Sequence, residues 1–151
     1  MIRKSLLALA GACVAFAAIA SEPVMDVTPD DVQARQQQAH ADLYVLDVRS
    51  PEEYAGGHVP GAVNIPYDQI ASRLAEVPKD KDVVLYCKSG RRAGIAAEVL
   101  ANQGYTRLQH LEGDIVAWME KGRPVETPSN PAACVEALKA GQPAEQACAS
   151  N

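Results

Sequence analysis

The sequence predicts an α/β fold: one domain with a central parallel sheet and helices flanking both faces. Three observations carry this expectation. Continuous apolar runs at residues 43–48 and 82–86 read as strands buried on both faces. Helix-start signatures or apolar stripes follow them, so strands and helices alternate. The chain has 151 residues and is 48% hydrophobic, enough for one domain with a proper core and too short for two.

Residues 1–20 stand apart. Met1-Ile2-Arg3-Lys4 is a charged start, residues 6–18 are apolar, and Ala18-Ile19-Ala20 has the small-x-small form that precedes a signal-peptidase cut. They read as a signal peptide cleaved after Ala20. The apolar run is shorter than the roughly 20 residues of a spanning helix. A lipoprotein cut before Cys13 fits poorly, because Ala10-Gly11-Ala12 lacks the leucine expected three residues before the cysteine. The mature chain is expected in the periplasm or outside the cell, with no stable membrane association. Without Arg3 and Lys4 its formal charge moves from −5 to about −7. An acidic chain of this kind argues against nucleic acid as a partner.

Residues 21–126 carry the domain. After an apolar start at 24–27, Thr28-Pro29-Asp30-Asp31 supplies a capping hydroxyl, a first-turn proline and two acids, predicting a helix to about residue 38. Strand 43–48 ends in the charged pair Asp47 and Arg49. Ser50-Pro51-Glu52-Glu53 opens a helix with a capping box, and Gly56-Gly57 stops it. His58-Val59-Pro60-Gly61 is turn chemistry, 62–66 a brief strand, and 68–77 a helix with Ile70, Leu74 and Val77 on its apolar face. Strand 82–86 follows the turn at 78–81, and 93–100 reads as a helix with an apolar stripe. Gly104 is a natural C-cap, 107–111 a strand, and 114–121 a helix stopped by Gly122, with Trp118 facing inward. Thr127-Pro128-Ser129-Asn130-Pro131 has linker composition, and the tail, residues 127–151, shows one short helical pattern at 134–139.

Cys87 is the candidate nucleophile. It ends a strand and is followed by Lys88-Ser89-Gly90-Arg91-Arg92, three cations within five positions, on an otherwise acidic chain. At a strand-to-helix turn the loop N–H groups and the helix pole add positive character, and such surroundings lower a thiol's pKa from its usual value of about 8.5. An inert buried cysteine calls for none of this. The cation cluster points to a small anionic substrate. Cys134 and Cys148 both lie in the tail, and pairing them closes a loop of about 15 residues worth up to roughly 3 kcal/mol, leaving Cys87 free. Asp47 and Arg49 sit at the C-terminal end of a parallel strand, so they either border the site or form a structural ion pair. His58 reads as a structural turn residue. His40 and His110 have no metal-ligand spacing with the cysteines, and no metal or cofactor is expected.

This order of elements, with three motifs, resembles the rhodanese family of sulfurtransferases over roughly residues 24–126. The motifs are Leu46-Asp47-Val48-Arg49-Ser50-Pro51-Glu52-Glu53-Tyr54, Gly57-His58-Val59-Pro60-Gly61-Ala62-Val63-Asn64-Ile65-Pro66, and the cysteine loop. The small exported form looks like the periplasmic rhodaneses of the phage-shock type. The resemblance implies a rhodanese-like domain in which Cys87 carries sulfur as a persulfide, residues 88–92 bind the donor, and Asp47 and Arg49 border the site. The expected donor is thiosulfate, the acceptor cyanide or a thiol, and the protein a monomer. The chain departs from the family where Glu112-Gly113 meets Asp114 instead of a second glycine, which alters the local turn.

Two other readings use the same thiol. In a phosphatase or arsenate reductase of this fold the arginine follows the cysteine after five residues, and that position is Ala93, with Arg92 one residue early. In a thiol redox or sulfur-relay module, Cys134 or Cys148 would resolve an oxidised Cys87.

Overall fold

The computed structural model describes residues 24–39 and 42–149. The expected signal peptide, with Cys13, lies outside the described residues. Five strands form one sheet: β1 (Met25–Val27), β2 (Leu43–Asp47), β3 (Val63–Asn64), β4 (Asp82–Tyr86) and β5 (Leu108–Leu111). Their order is β1-β5-β4-β2-β3, and every pairing is parallel. Among the described residues six α-helices accompany them: α1 (Pro29–Gln36), α2 (Pro51–Ala55), α3 (Arg91–Asn102), α4 (Asp114–Glu120), α5 (Pro131–Lys139) and α6 (Ala144–Ala147).

Alternation along the central strands splits the core in two. Val45, Val84 and Tyr86 pack with Tyr54, Trp118 and Leu138, a layer contributed by α2, α4 and the tail helices. Leu46, Val83 and Leu85 pack with Cys87, Ala96 and Leu100 on the other face, where α3 lies. The helix starts follow their sequence signatures. Thr28 Oγ1 accepts from the Asp31 N–H, and Ser50 and Glu53 close a reciprocal capping box on α2.

Two expectations are corrected. Residues 68–77 do not form one helix: they make two 3₁₀ turns, Ile70–Ser72 and Leu74–Glu76, broken at Arg73. Arg73 departs from helical backbone at φ −119° and ψ 24°, and the Tyr105 hydroxyl, 2.8 Å from the carbonyls of both Leu74 and Val77, ties the second turn to the segment after α3. The tail holds two helices rather than one. The Cys134 and Cys148 sulfurs meet at bonding distance between α5 and the end of α6, in the core layer beneath α2.

Candidate active site

β4 runs through the middle of the sheet between β5 and β2 and delivers Cys87 to the sheet's C-terminal edge. Cys87 is 1% exposed and is the free cysteine among the described residues. The chain then curls through Lys88, Ser89 and Gly90 into α3. Gly90 holds φ at 90°, a conformation that L side chains rarely adopt, and this brings its N–H to 3.1 Å from Cys87 Sγ. Lys88, Ser89 and Arg91 are exposed around the loop, and Arg92 is half-buried. The sulfur thus accepts a backbone hydrogen bond at the positive pole of a 12-residue helix.

Arg92 is not an unencumbered cation. Its Nη1 and Nη2 donate to Glu53 Oε2 and Oε1 at 2.5 and 2.9 Å. Glu53 is also the capping-box acid of α2, so one carboxylate ties α2 to the cysteine loop. The hydrogen bonds from Arg92 hold the Glu53 carboxyl down to about 2. Arg92 itself is raised, first by Glu53 and, more weakly, by the charge and hydrogen bonding of Cys87.

Asp47 and Arg49 form a buried pair, 0% and 6% exposed, joined by a 2.6 Å contact between Oδ2 and Nη2. The Tyr86 hydroxyl donates to Asp47 Oδ2 at 2.6 Å, and Arg49 Nη2 donates to the Gly57 carbonyl at 2.8 Å. Asn64 Nδ2 donates to the carbonyls of both Asp47 and Arg49. These bonds lock the end of β2 to the Gly57-His58-Val59-Pro60 turn. His58 stacks on Tyr54 with ring centroids 3.7 Å apart, its Nδ1 3.0 Å from the Tyr54 carbonyl. Burial lowers its pKa, as suits a neutral turn histidine.

Asp114, where the sequence leaves the family pattern, lies against the nucleophile. Gly113 and Asp114 both take positive φ, 69° and 56°, turning the Asp114 carboxylate back under the loop. Its Oδ1 accepts from the Cys87 N–H at 2.7 Å, and the Ile115 N–H donates to the Cys87 carbonyl at 3.3 Å. The start of α4 therefore grips the Cys87 peptide groups on both sides. His110 stands beside it, with Nε2 3.3 Å from Asp114 Oδ1 and Nδ1 3.0 Å from Asp26 Oδ1. The Nε2 approach is a charge contact lacking hydrogen-bond alignment. Sequence reasoning assigned neither residue to the site. The signal available was the i, i+4 spacing of His110 and Asp114 across a strand-to-helix turn.

A parallel α/β sheet thus presents one free thiol, among the described residues, in a basic strand-to-helix loop. The chain belongs to the rhodanese-like family: the Rhodanese-like domain matches residues 28–121, more than half of it. A sulfurtransferase of Allochromatium vinosum is 44% identical over 87 residues, covering 58% of this chain and 81% of that protein. The thiosulfate sulfurtransferase PspE of Escherichia coli is 43% identical over 70 residues, 45% of this chain and 67% of PspE. Among solved structures, a rhodanese-like domain protein from Staphylococcus aureus superposes with a TM-score of 0.62 at 28% identity, covering 70% of this chain and 100% of that one. A rhodanese-related protein from Thermoplasma volcanium gives 0.60 at 28% identity, covering 68% and 97%. The family is one of sulfur-transferring enzymes, in agreement with the resemblance read from the three motifs.

Proposed function

We propose that this protein is an exported, monomeric sulfurtransferase that moves the outer sulfur of thiosulfate to cyanide or a thiol through a persulfide on Cys87. The observation that carries it is the Gly90 N–H aimed at Cys87 Sγ from 3.1 Å at the start of α3. The thiolate attacks the outer sulfur of thiosulfate, a new S–S bond forms, and the old one breaks with its electron pair leaving on sulfite. The acceptor then attacks the terminal sulfur of the Cys87 persulfide, and the bonding pair returns to Cys87 as thiolate. Lys88 and Arg91, exposed beside the loop, and Arg92 would attract the dianionic donor and stabilise the charge moving onto sulfite, while backbone N–H groups of the loop cradle the persulfide.

Export rests on residues 1–20, read as a cleaved leader. The tail, residues 127–151, is proposed to be stapled by a Cys134–Cys148 disulfide, as an oxidising compartment permits. Those sulfurs belong to the core layer on the opposite sheet face from Cys87, which weighs against either one resolving it. Among the described residues no helix is long and apolar enough to cross a membrane. Arg92 one residue early in the loop weighs against the phosphatase and arsenate reductase reading.

Intact mass decides between these. With thiosulfate the wild type gains one sulfur atom, cyanide removes it, and Cys87→Ser never gains it. Absence of the gain, with Cys87 instead bonded to a tail cysteine, would establish the redox module.

A further inference from the structure

Asp114 brings a carboxylate, itself 2% exposed, against the backbone of the very cysteine that must ionise. A negative charge there opposes a thiolate. Its Oδ2 also lies on the Gly90 side of the loop, 3.4 Å from where a Cβ on Gly90 would sit. The only histidine near this carboxylate among the described residues is His110, held from the other side by Asp26. We propose that His110 and Asp114 are positioning residues that act as one unit: Asp114 clamps the Cys87 N–H, and protonated His110 cancels the charge that the clamp introduces beside the sulfur. The proposal rests on Cys87 being the sulfur carrier, and it concerns how that thiol is kept ionised.

The groups around the pair set its charge. His110 faces Asp26 from β1, Asp114 from α4 and, across a groove of about 490 Å³, Glu98 from α3. All three are acids, so the imidazolium is the favoured form. Contact with Asp114 raises the His110 pKa first, burial opposes it, and Asp26 adds to the rise. Burial alone would raise Asp114, yet His110 and the Cys87 N–H hold its carboxyl below the usual value. Cys87 meets Asp114 through its N–H, and the charge of Arg92, in the first turn of α3, also bears on it although Glu53 engages that guanidinium. With both members ionised the pair is neutral and adds no net negative charge beside the thiolate. Once His110 loses its proton, one net negative charge remains beneath the loop. The thiolate is thus supported while His110 is protonated, and that support is lost as pH rises through the raised His110 value.

The test is the ultraviolet absorbance of the thiolate across pH in the full chain, with the Cys87→Ser curve subtracted. His110→Gln leaves Asp114 uncompensated, so the Cys87 midpoint is expected to rise by on the order of one pH unit. Asp114→Asn keeps an acceptor for the Cys87 N–H and removes the charge, so its midpoint falls at or below the wild-type value. The decisive variant is the double substitution H110Q/D114N, neutral at both positions, which is expected to return the midpoint to wild type. Two merely structural lesions would compound instead. An unshifted midpoint in H110Q, or a double variant that stays as high as H110Q, would overturn the proposal. This titration needs no sulfur donor. If thiosulfate fails to load the wild type, the sulfur-transfer reading falls, while the titration still answers for the pair.

Discussion

Arg92 and Glu53 join the first turn of α3 to the first turn of α2 through two nearly parallel hydrogen bonds. The pair ties α2 to the end of the cysteine loop, and its two residues stand 39 positions apart in the chain. Replacing Arg92 by Ala removes a charge contact worth on the order of 1.5–3 kcal/mol, so kcat/KM for thiosulfate is expected to fall about tenfold or more. Arg92→Lys should recover only part of it, since one ammonium cannot reproduce the two-pronged fork. Unchanged kinetics in Arg92→Ala would assign the pair to structure alone.

Glu53 supplies a pH dependence with a defined sign. Its folded-state carboxyl is depressed from 4.5 to about 2, so its contribution to stability is present above 4.5 and is lost as pH falls toward 2. Glu53→Gln should therefore be destabilised most above pH 4.5 and converge on wild type as pH falls toward 2, which flattens the acid limb in that window. Thermal melts of both proteins between pH 2 and 5 check this, and parallel acid limbs would show that Arg92 holds no ionised partner there.

Asp47→Ala leaves Arg49 buried with no compensating charge. Removal of one partner from such a pair costs about 3–5 kcal/mol. Urea unfolding should show a loss of that size. A loss under about 1 kcal/mol would mean that water replaces the carboxylate.

Substitution of both Cys134 and Cys148 by Ser should leave sulfur loading of Cys87 intact. With a separation of 14 residues, the closed loop contributes up to roughly 3 kcal/mol, and the variant should unfold at correspondingly lower denaturant. Loss of turnover at temperatures where the variant remains folded would implicate the tail in the reaction.

Gly113→Ala should be more damaging than a surface methyl suggests. A Cβ there would stand 2.4 Å from the Ala117 Cβ, at a backbone φ of 69°. Destabilisation of about 1–3 kcal/mol is expected. Because Asp114 is aimed by this same turn, reduced sulfur loading should accompany it.

The strands and their order of appearance were readable because buried parallel strands leave unbroken apolar runs, and Thr28 and Ser50 announce their helices through capping chemistry. The cysteine loop was readable because Lys88, Arg91 and Arg92 stand out on an acidic chain. Residues 68–77 misled because Ile70, Leu74 and Val77 repeat at helical spacing, while the second turn is tied down by Tyr105, 28 residues beyond Val77. The Arg92–Glu53 pair and the His110–Asp114 pair were hidden for the same reason: their roles depend on which strand ends lie side by side. Asp114 registered as an irregularity in a turn. Only the folded chain turns that irregularity into a ligand for the Cys87 N–H.

The outermost strands have a consequence for the protein in solution. β1 offers three residues and β3 two, so neither rim of the sheet presents a long row of vacant peptide groups to a neighbouring molecule. Short borders of this kind deny an incoming strand a template, and so discourage edge-to-edge aggregation.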